Sequence, residues 1–160
     1  MIEVMVAPEN MREEIWRLFL EYAQELSGYD GERRPQSRKH YPYFDEYWDD
    51  DHRTPFVILY DHEPIGFCLL QQTSVNYQID EFYIHPLHRQ RGFGRTAVEF
   101  IKDHCRRLGK HTTIAANIYV NNEPAKRFWQ SLGFQDTGRR VRIKNLRLIE
   151  TEAELTPVAV

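Results

Sequence analysis

Apolar side chains alternate with polar ones at Ile2, Val4 and Val6, the two-residue period of a short, half-buried strand. The period then lengthens. Met11, Ile15, Leu18, Phe19, Tyr22 and Leu26 fall on one helical face, Asn10 with Glu13 predicts a capping box at its start, and Ser27-Gly28 predicts its end. Gly31, Pro35 and Pro42 mark Tyr29 to Arg53 as mostly loop, with a short second helix possible over Tyr43 to Asp51. Pro55 to Tyr60 and Ile65 to Gln72 read as a hairpin about the turn Asp61 to Pro64, and Asn76 to Ile84 as a third strand. A helix follows, with Ala97, Ile101, Cys105 and Leu108 on one stripe that Val98 and Phe100 widen, ending near Gly109.

Beyond it, His111 to Val120 reads as a strand. Asn122 caps a helix bearing Ala125, Phe128, Trp129 and Leu132, which Gly133 stops. Val141, Ile143, Leu146 and Leu148 predict a closing pair of strands, and Glu150 to Val160 reads as a loosely held tail. The expected order is β–α–α–β–β–β–α–β–α–β–β.

Composition narrows the class. The chain has 160 residues, 41% hydrophobic and 28% charged, which fits one globular domain over 1–150 with a flexible tail over 151–160. A net charge of −3 gives no reason to expect nucleic acid. No apolar run approaches a membrane span and no signal pattern opens the chain, so a cytoplasmic setting is expected. Cys68 and Cys105 lack metal-ligand spacing and read as buried free thiols. The seven histidines show no ligand spacing either, and no metal is expected.

The stretch carrying chemistry is Arg89-Gln90-Arg91-Gly92-Phe93-Gly94-Arg95, between a strand and a helix. Two glycines let backbone N–H groups crowd together, and the helix start adds its own unpaired donors and positive dipole end. Such a loop suits a pyrophosphate, with Arg89, Arg91 and Arg95 as mobile positive charge around it. Gly92-Phe93-Gly94-Arg95-Thr96-Ala97 also fits the dinucleotide fingerprint, but seven residues separate Ile84 from Gly92. No acid lies in His111 to Asn122 to hold a ribose, and the nicotinamide reading fails.

The same loop, Arg89-x-x-Gly92-x-Gly94 after Ile84-His85-Pro86, resembles the acyl-CoA loop of the Gcn5-related N-acetyltransferase (GNAT) superfamily. So does a second segment, Asn122-x-x-Ala125-x-x-Phe128-Trp129-x-x-x-Gly133-Phe134, in the right order downstream. The resemblance implies an α/β GNAT fold, with a mixed central sheet of six to seven strands and about four helices. It also implies acetyl-CoA as co-substrate, lying where two parallel strands splay apart. Backbone groups of Phe82, Tyr83 and Ile84 would then hold the pantetheine arm. Gln90, Arg91, Gly92, Phe93, Gly94 and Arg95 would hold the pyrophosphate with Arg89 nearby, and Asn117, Asn122, Ala125, Phe128 and Trp129 would line the other side.

In that family the amine attacks the thioester directly, so neither cysteine needs a catalytic role. Glu81 is the favoured base, with Asp80 the alternative, and strict alternation would put only one of them on a given face. Trp129 stands where the family usually has a tyrosine that donates to the departing sulfur, and Tyr119 or Tyr83 could take that role. Tyr43 to Asp51, with five acids and four aromatics, is expected to wall the acceptor site and favour a cationic amine. The implied partner is a small-molecule amine, with the protein a monomer or homodimer. The competing reading is an acyl-CoA-binding sensor or scaffold, favoured by Trp129.

Overall fold

A computed structural model describes residues 1–143 and 146–155. Its elements follow the expected order: β1 (Ile2–Val6), α1 (Arg12–Asp30), α2 (Tyr43–Asp49), β2 (Arg53–Tyr60), β3 (Glu63–Gln72), β4 (Tyr77–Ile84), α3 (Phe93–Leu108), β5 (Thr113–Tyr119), α4 (Glu123–Ser131), β6 (Gln135–Ile143) and β7 (Leu146–Glu154). The strands form one seven-stranded sheet in the order β1-β2-β3-β4-β5-β7-β6. All neighbours are antiparallel except β4 and β5. That one parallel step is bridged by α3, as a parallel connection requires.

Alternation along the strands divides the core in two. Phe56, Cys68, Leu70, Ile79, Ile114, Ala116 and Ile118 pack beneath Val98, Ile101 and Cys105 of α3 and Trp129 of α4. Val57, Leu59, Phe67, Leu69 and Tyr83 pack beneath Ile15, Leu18 and Phe19 of α1 and Phe44 and Tyr47 of α2. Cys68 and Cys105 are buried free thiols in the first of these layers, as expected. Among the described residues, no helix is long and apolar enough to cross a membrane.

Most boundaries shift by a residue or two, and three differences from the sequence reading change what caps or packs. The capping box at Asn10 does not form: a 3-10 turn over Glu9–Met11 leads into α1, whose cap, Met11, makes no side-chain bond. Ser27-Gly28 does not end α1 either. The helix runs one more turn to Asp30 and stops at Gly31, whose φ of 73° suits the left-handed residue that terminates helices. The expected tail from Glu150 is strand as far as Glu154, with Thr151, Ala153 and Leu155 buried and the Thr151 hydroxyl donating to Ala116 O at 2.7 Å. The remainder of that tail, 156–160, lies outside the described residues.

Candidate active site

The sheet opens where β4 and β5 part. They pair only at Tyr77↔Ile114, Gln78↔Ala115 and Ile79↔Ala116. Beyond Ile79, β4 stays bonded to β3 alone, and beyond Ala116, β5 stays bonded to β7. The edge of β4 from Asp80 to Ile84 therefore offers β5 no ladder, which leaves backbone groups free for an extended ligand. A cavity of about 80 Å³ occupies the splay. Among its lining residues are Tyr22 of α1, Asp80, Glu81 and Phe82 of β4, Asn117 and Tyr119 of β5, and Asn122, Ala125 and Trp129 at α4.

Strict alternation fails at the carboxylates. Leu69 pairs with Glu81 and Leu70 with Ile79, so Asp80 is an extra residue, a bulge on β4. Alternation, which would leave only one carboxylate on a given face, is thereby overturned: Glu81 shares the face of Tyr83 but not that of Ile79, and Asp80 leaves the face of Phe82 and Ile84. Ile79 and Phe82 pack in the α3/α4 layer, whereas both carboxylates turn toward α1 and α2. Glu81 Oε2 accepts a hydrogen bond from the Tyr22 hydroxyl, and Asp80 Oδ2 accepts one from Tyr47, with Arg53 Nη1 4.0 Å away.

Both acids are held above the ordinary carboxylate range, chiefly by burial. Glu81 is pushed up to about 8; the Tyr22 bond and nearby Arg34 oppose the shift and the Asp80 charge adds to it. For Asp80, the Tyr47 bond and Arg53 work against the rise. Burial also raises the phenols of Tyr22 and Tyr119, so both keep their protons near neutral pH.

The two walls of the splay have different characters. On β5, Ile114, Ala116 and Ile118 pack in the α3/α4 layer, so alternation turns Asn117 and Tyr119 toward α1. Asn117 Oδ1 is buried there without a hydrogen-bond partner. The Tyr119 hydroxyl accepts from Arg34 Nη2 at 3.2 Å, and Arg34 in turn pairs with Asp30. On the opposite wall, Trp129 packs edge-on against Phe82 with ring centroids 5.3 Å apart, and Phe128 stacks on Phe82 at 5.6 Å. Of the two tyrosines considered for the sulfur, Tyr119 lines the splay. Tyr83 does not: its hydroxyl donates to Glu21 at 3.3 Å, and its ring lies under Arg89.

The glycine loop closes the far end. Gly92 caps α3 with φ of 80°, and the first helical bond is Thr96 N–H to Gly92 O at 3.1 Å. The amides of Phe93, Gly94 and Arg95 therefore have no intrahelical acceptor and face out from the positive end of α3. Gly94 is needed for contact, because a Cβ there would lie 2.6 Å from Phe128 Cε1. Asn122 caps α4 as expected, its side chain accepting from Ala125 N–H at 3.2 Å.

Arg89 departs from the mobile charge that the sequence implied. Its guanidinium holds Glu25 through two bonds of 2.6 and 2.7 Å, and its Nε donates to Ile84 O. That ties α1 to the end of β4 and occupies the Ile84 carbonyl. Arg91 lies over Tyr60 and Phe93, and Arg95 Nη2 reaches Ser131 O at 3.2 Å.

The acidic segment is also elsewhere. Asp45 pairs with Arg12 and Arg38, Asp49 lies 3.8 Å from Arg12, and Glu46 and Asp50 each lie 3.6 Å from Arg53. None of these acids lines the splay, and Phe44 and Tyr47 are core residues. The expected acidic wall is thus largely a set of ion pairs that staple α2 to its surroundings. Changing Asp49, Asp50 and Asp51 together to Asn should leave the acceptor KM and its salt dependence unchanged in steady-state assays.

The matching of motif, splay and loop is reflected in known proteins. A family model described as Acetyltransferase (GNAT) family matches residues 11–134. The chain belongs to the GNAT family. Over 61 residues it is 36% identical to an L-methionine sulfoximine/L-methionine sulfone acetyltransferase of Salmonella typhimurium, a match covering 38% of this chain and 35% of that protein. Its fold resembles an N-acetyltransferase from Staphylococcus aureus Mu50, with a TM-score of 0.78, 17% identity and coverage of 98% and 99% of the two chains. It also resembles spermidine N-acetyltransferase from Vibrio cholerae in complex with CoA and spermine, with a TM-score of 0.73, 16% identity and coverage of 96% and 95%. In this GNAT chain the residues missed from sequence are Tyr22, Arg34 and Asp30. Tyr22 sits on the apolar stripe of α1, where a tyrosine reads as core, and Arg34 lies in a loop with no periodicity to read.

Proposed function

We propose that this GNAT protein transfers an acetyl group from acetyl-CoA to the primary amine of a small molecule, with Glu81 as the base. The observation that carries the reading is Glu81 itself, a carboxylate that lines the splay, accepts from Tyr22 and is pushed by burial up to about 8. Acetyl-CoA supplies the activated acetyl thioester. The residues fit it: the unpaired edge of β4 for the pantetheine arm, the free amides of Phe93 to Arg95 for the pyrophosphate, and Trp129, Ala125 and Asn122 along the far wall.

On the α1 side, Glu81 takes a proton from the acceptor ammonium, and the freed nitrogen lone pair attacks the thioester carbonyl. The carbon–sulfur bond breaks as the amide forms; its electron pair leaves with sulfur as the thiolate, which takes the second proton that the nitrogen loses. A thiol pKa near ~8.5 makes that departure tolerable without a strong acid. Tyr119, which lines the splay and whose hydroxyl accepts from Arg34, would donate a hydrogen bond there in place of the hydroxyl that Trp129 lacks. Asp80, bonded to Tyr47 and facing Arg53, shapes the charge around Glu81 rather than acting as the base.

The cationic preference read from the acidic segment has no support at the splay. The named activities of the Salmonella and Vibrio relatives, on an amino-acid derivative and on a polyamine, support an amine acceptor without choosing between them. The second reading, an acyl-CoA sensor, rests on Trp129. Thiol release from acetyl-CoA over a panel of amino acids, polyamines and simple alkylamines separates the two. Release with at least one class, together with an N-acetylated product by mass spectrometry, is expected; tight acetyl-CoA binding without release would favour the sensor.

A further inference from the structure

α1 presents one polar group to the splay among its apolar neighbours, and that group is the Tyr22 hydroxyl. Its ring is wedged between Phe19, Phe67 and Tyr83, with centroids 5.8, 5.6 and 5.9 Å away, so the phenol has little freedom to turn. The hydroxyl donates to Glu81 Oε2. Glu81 Oε1 receives no hydrogen bond from the described residues and forms no ion pair among them. We propose that Tyr22 is the positioning residue for Glu81: it fixes one carboxylate oxygen and leaves the other aimed at the acceptor nitrogen. This rests on the assignment of Glu81 as the base in the proposed acetyl transfer.

The remaining groups around Glu81 do not duplicate this role. Asp80 on β4 is bonded to Tyr47 of α2, Arg34 on the loop after α1 is paired to Asp30, and Tyr119 on β5 accepts from Arg34. Tyr41 and Tyr43 feel the Glu81 charge but make no hydrogen bond to it. Tyr22 is therefore the donor that favours the ionised form of Glu81 by direct contact. Deleting that one hydroxyl should shift the titration of Glu81 further upward, whereas a purely structural tyrosine would leave it in place.

The test is Tyr22→Phe, which keeps the ring and its packing. Carboxyl ¹³C NMR of the full chain, with Glu81 assigned by its absence in Glu81→Gln, follows the titration directly. Loss of one hydrogen bond to a carboxylate predicts an inflection higher by about one pH unit or more. The pH profile of kcat/KM for the amine should move the same way, with the KM for acetyl-CoA unchanged. An unmoved Glu81 inflection in folded Tyr22→Phe overturns the assignment. If the inflection moves but the wild type acetylates no amine, the positioning contact stands and the proposed function is what fails. Should Tyr22→Phe not fold, the slowly exchanging Tyr22 hydroxyl proton decides. It should appear downfield in the wild type and vanish from that region in Glu81→Gln; no such signal in the wild type overturns the contact.

Discussion

Glu81→Gln is expected to lower turnover by about 100-fold or more near neutral pH while making the protein more stable at alkaline pH. The first effect follows from losing the base. An amide cannot accept the ammonium proton, so transfer must wait for amine that is already neutral, and activity should recover partly as pH rises. The wild-type profile of kcat/KM should bend near the Glu81 inflection of about 8, and the variant should lack that bend.

The stability effect has the opposite sign for a definite reason. In the unfolded chain Glu81 loses its proton near the ordinary 4.5, whereas in the native protein it keeps it to about 8. Across that window the native state binds the extra proton, so wild-type stability falls as pH rises and stays reduced above it. Glutamine cannot ionise and avoids the loss. The Tm difference between variant and wild type should be small at about pH 4 and grow in favour of the variant toward about pH 9, read by thermal melts. Equal melts across that range would contradict the burial of Glu81. A variant that is stabilised yet fully active would leave the burial intact and remove the base.

Gly92→Val should weaken acetyl-CoA binding by ~10- to 100-fold while the protein still folds. The left-handed backbone at Gly92, φ 80°, costs a side-chain-bearing residue roughly 1–2 kcal/mol, more for a β-branched one. The added Cβ meets no protein atom within 4 Å, so the fold has room for it. The space it enters is the mouth of the free amides of Phe93 to Arg95, where a pyrophosphate would approach. Gly94→Ala provides the contrast, since its methyl would press on Phe128 and disturb the far wall instead. Calorimetric titration checks the first; unchanged affinity in folded Gly92→Val would remove the loop from the site.

What was legible in the sequence was whatever local chemistry decides. The glycine loop, the Asn122 cap and the α3 stripe of Ala97, Ile101 and Cys105 needed only spacing and periodicity. The bulge at Asp80 did not show, because it exists only in the register with Leu69 and Leu70 on β3. Without it, alternation assigned the two carboxylates to opposite faces. The α2 acids looked like a free charged wall because their partners Arg12, Arg38 and Arg53 come from three other segments. Charge counted along a chain says nothing of such pairing. Arg89 misled for the same reason: its partner Glu25 is 64 residues away. Tyr22 was visible and correctly placed on its helix face, yet its hydroxyl gained meaning only once Glu81, distant in sequence, was seen to face it.

We propose that the splay between β4 and β5 is the reaction centre. A crystal structure with acetyl-CoA bound tests it most directly. The pyrophosphate is expected on the amides of Phe93 to Arg95 and the pantetheine along the open edge of Phe82 and Tyr83, short of the Ile84 carbonyl that Arg89 holds. The thioester should lie in the cavity between Trp129 and Tyr119, with Glu81 on the α1 side. A cofactor seated elsewhere, or a thioester facing away from Glu81, would contradict it.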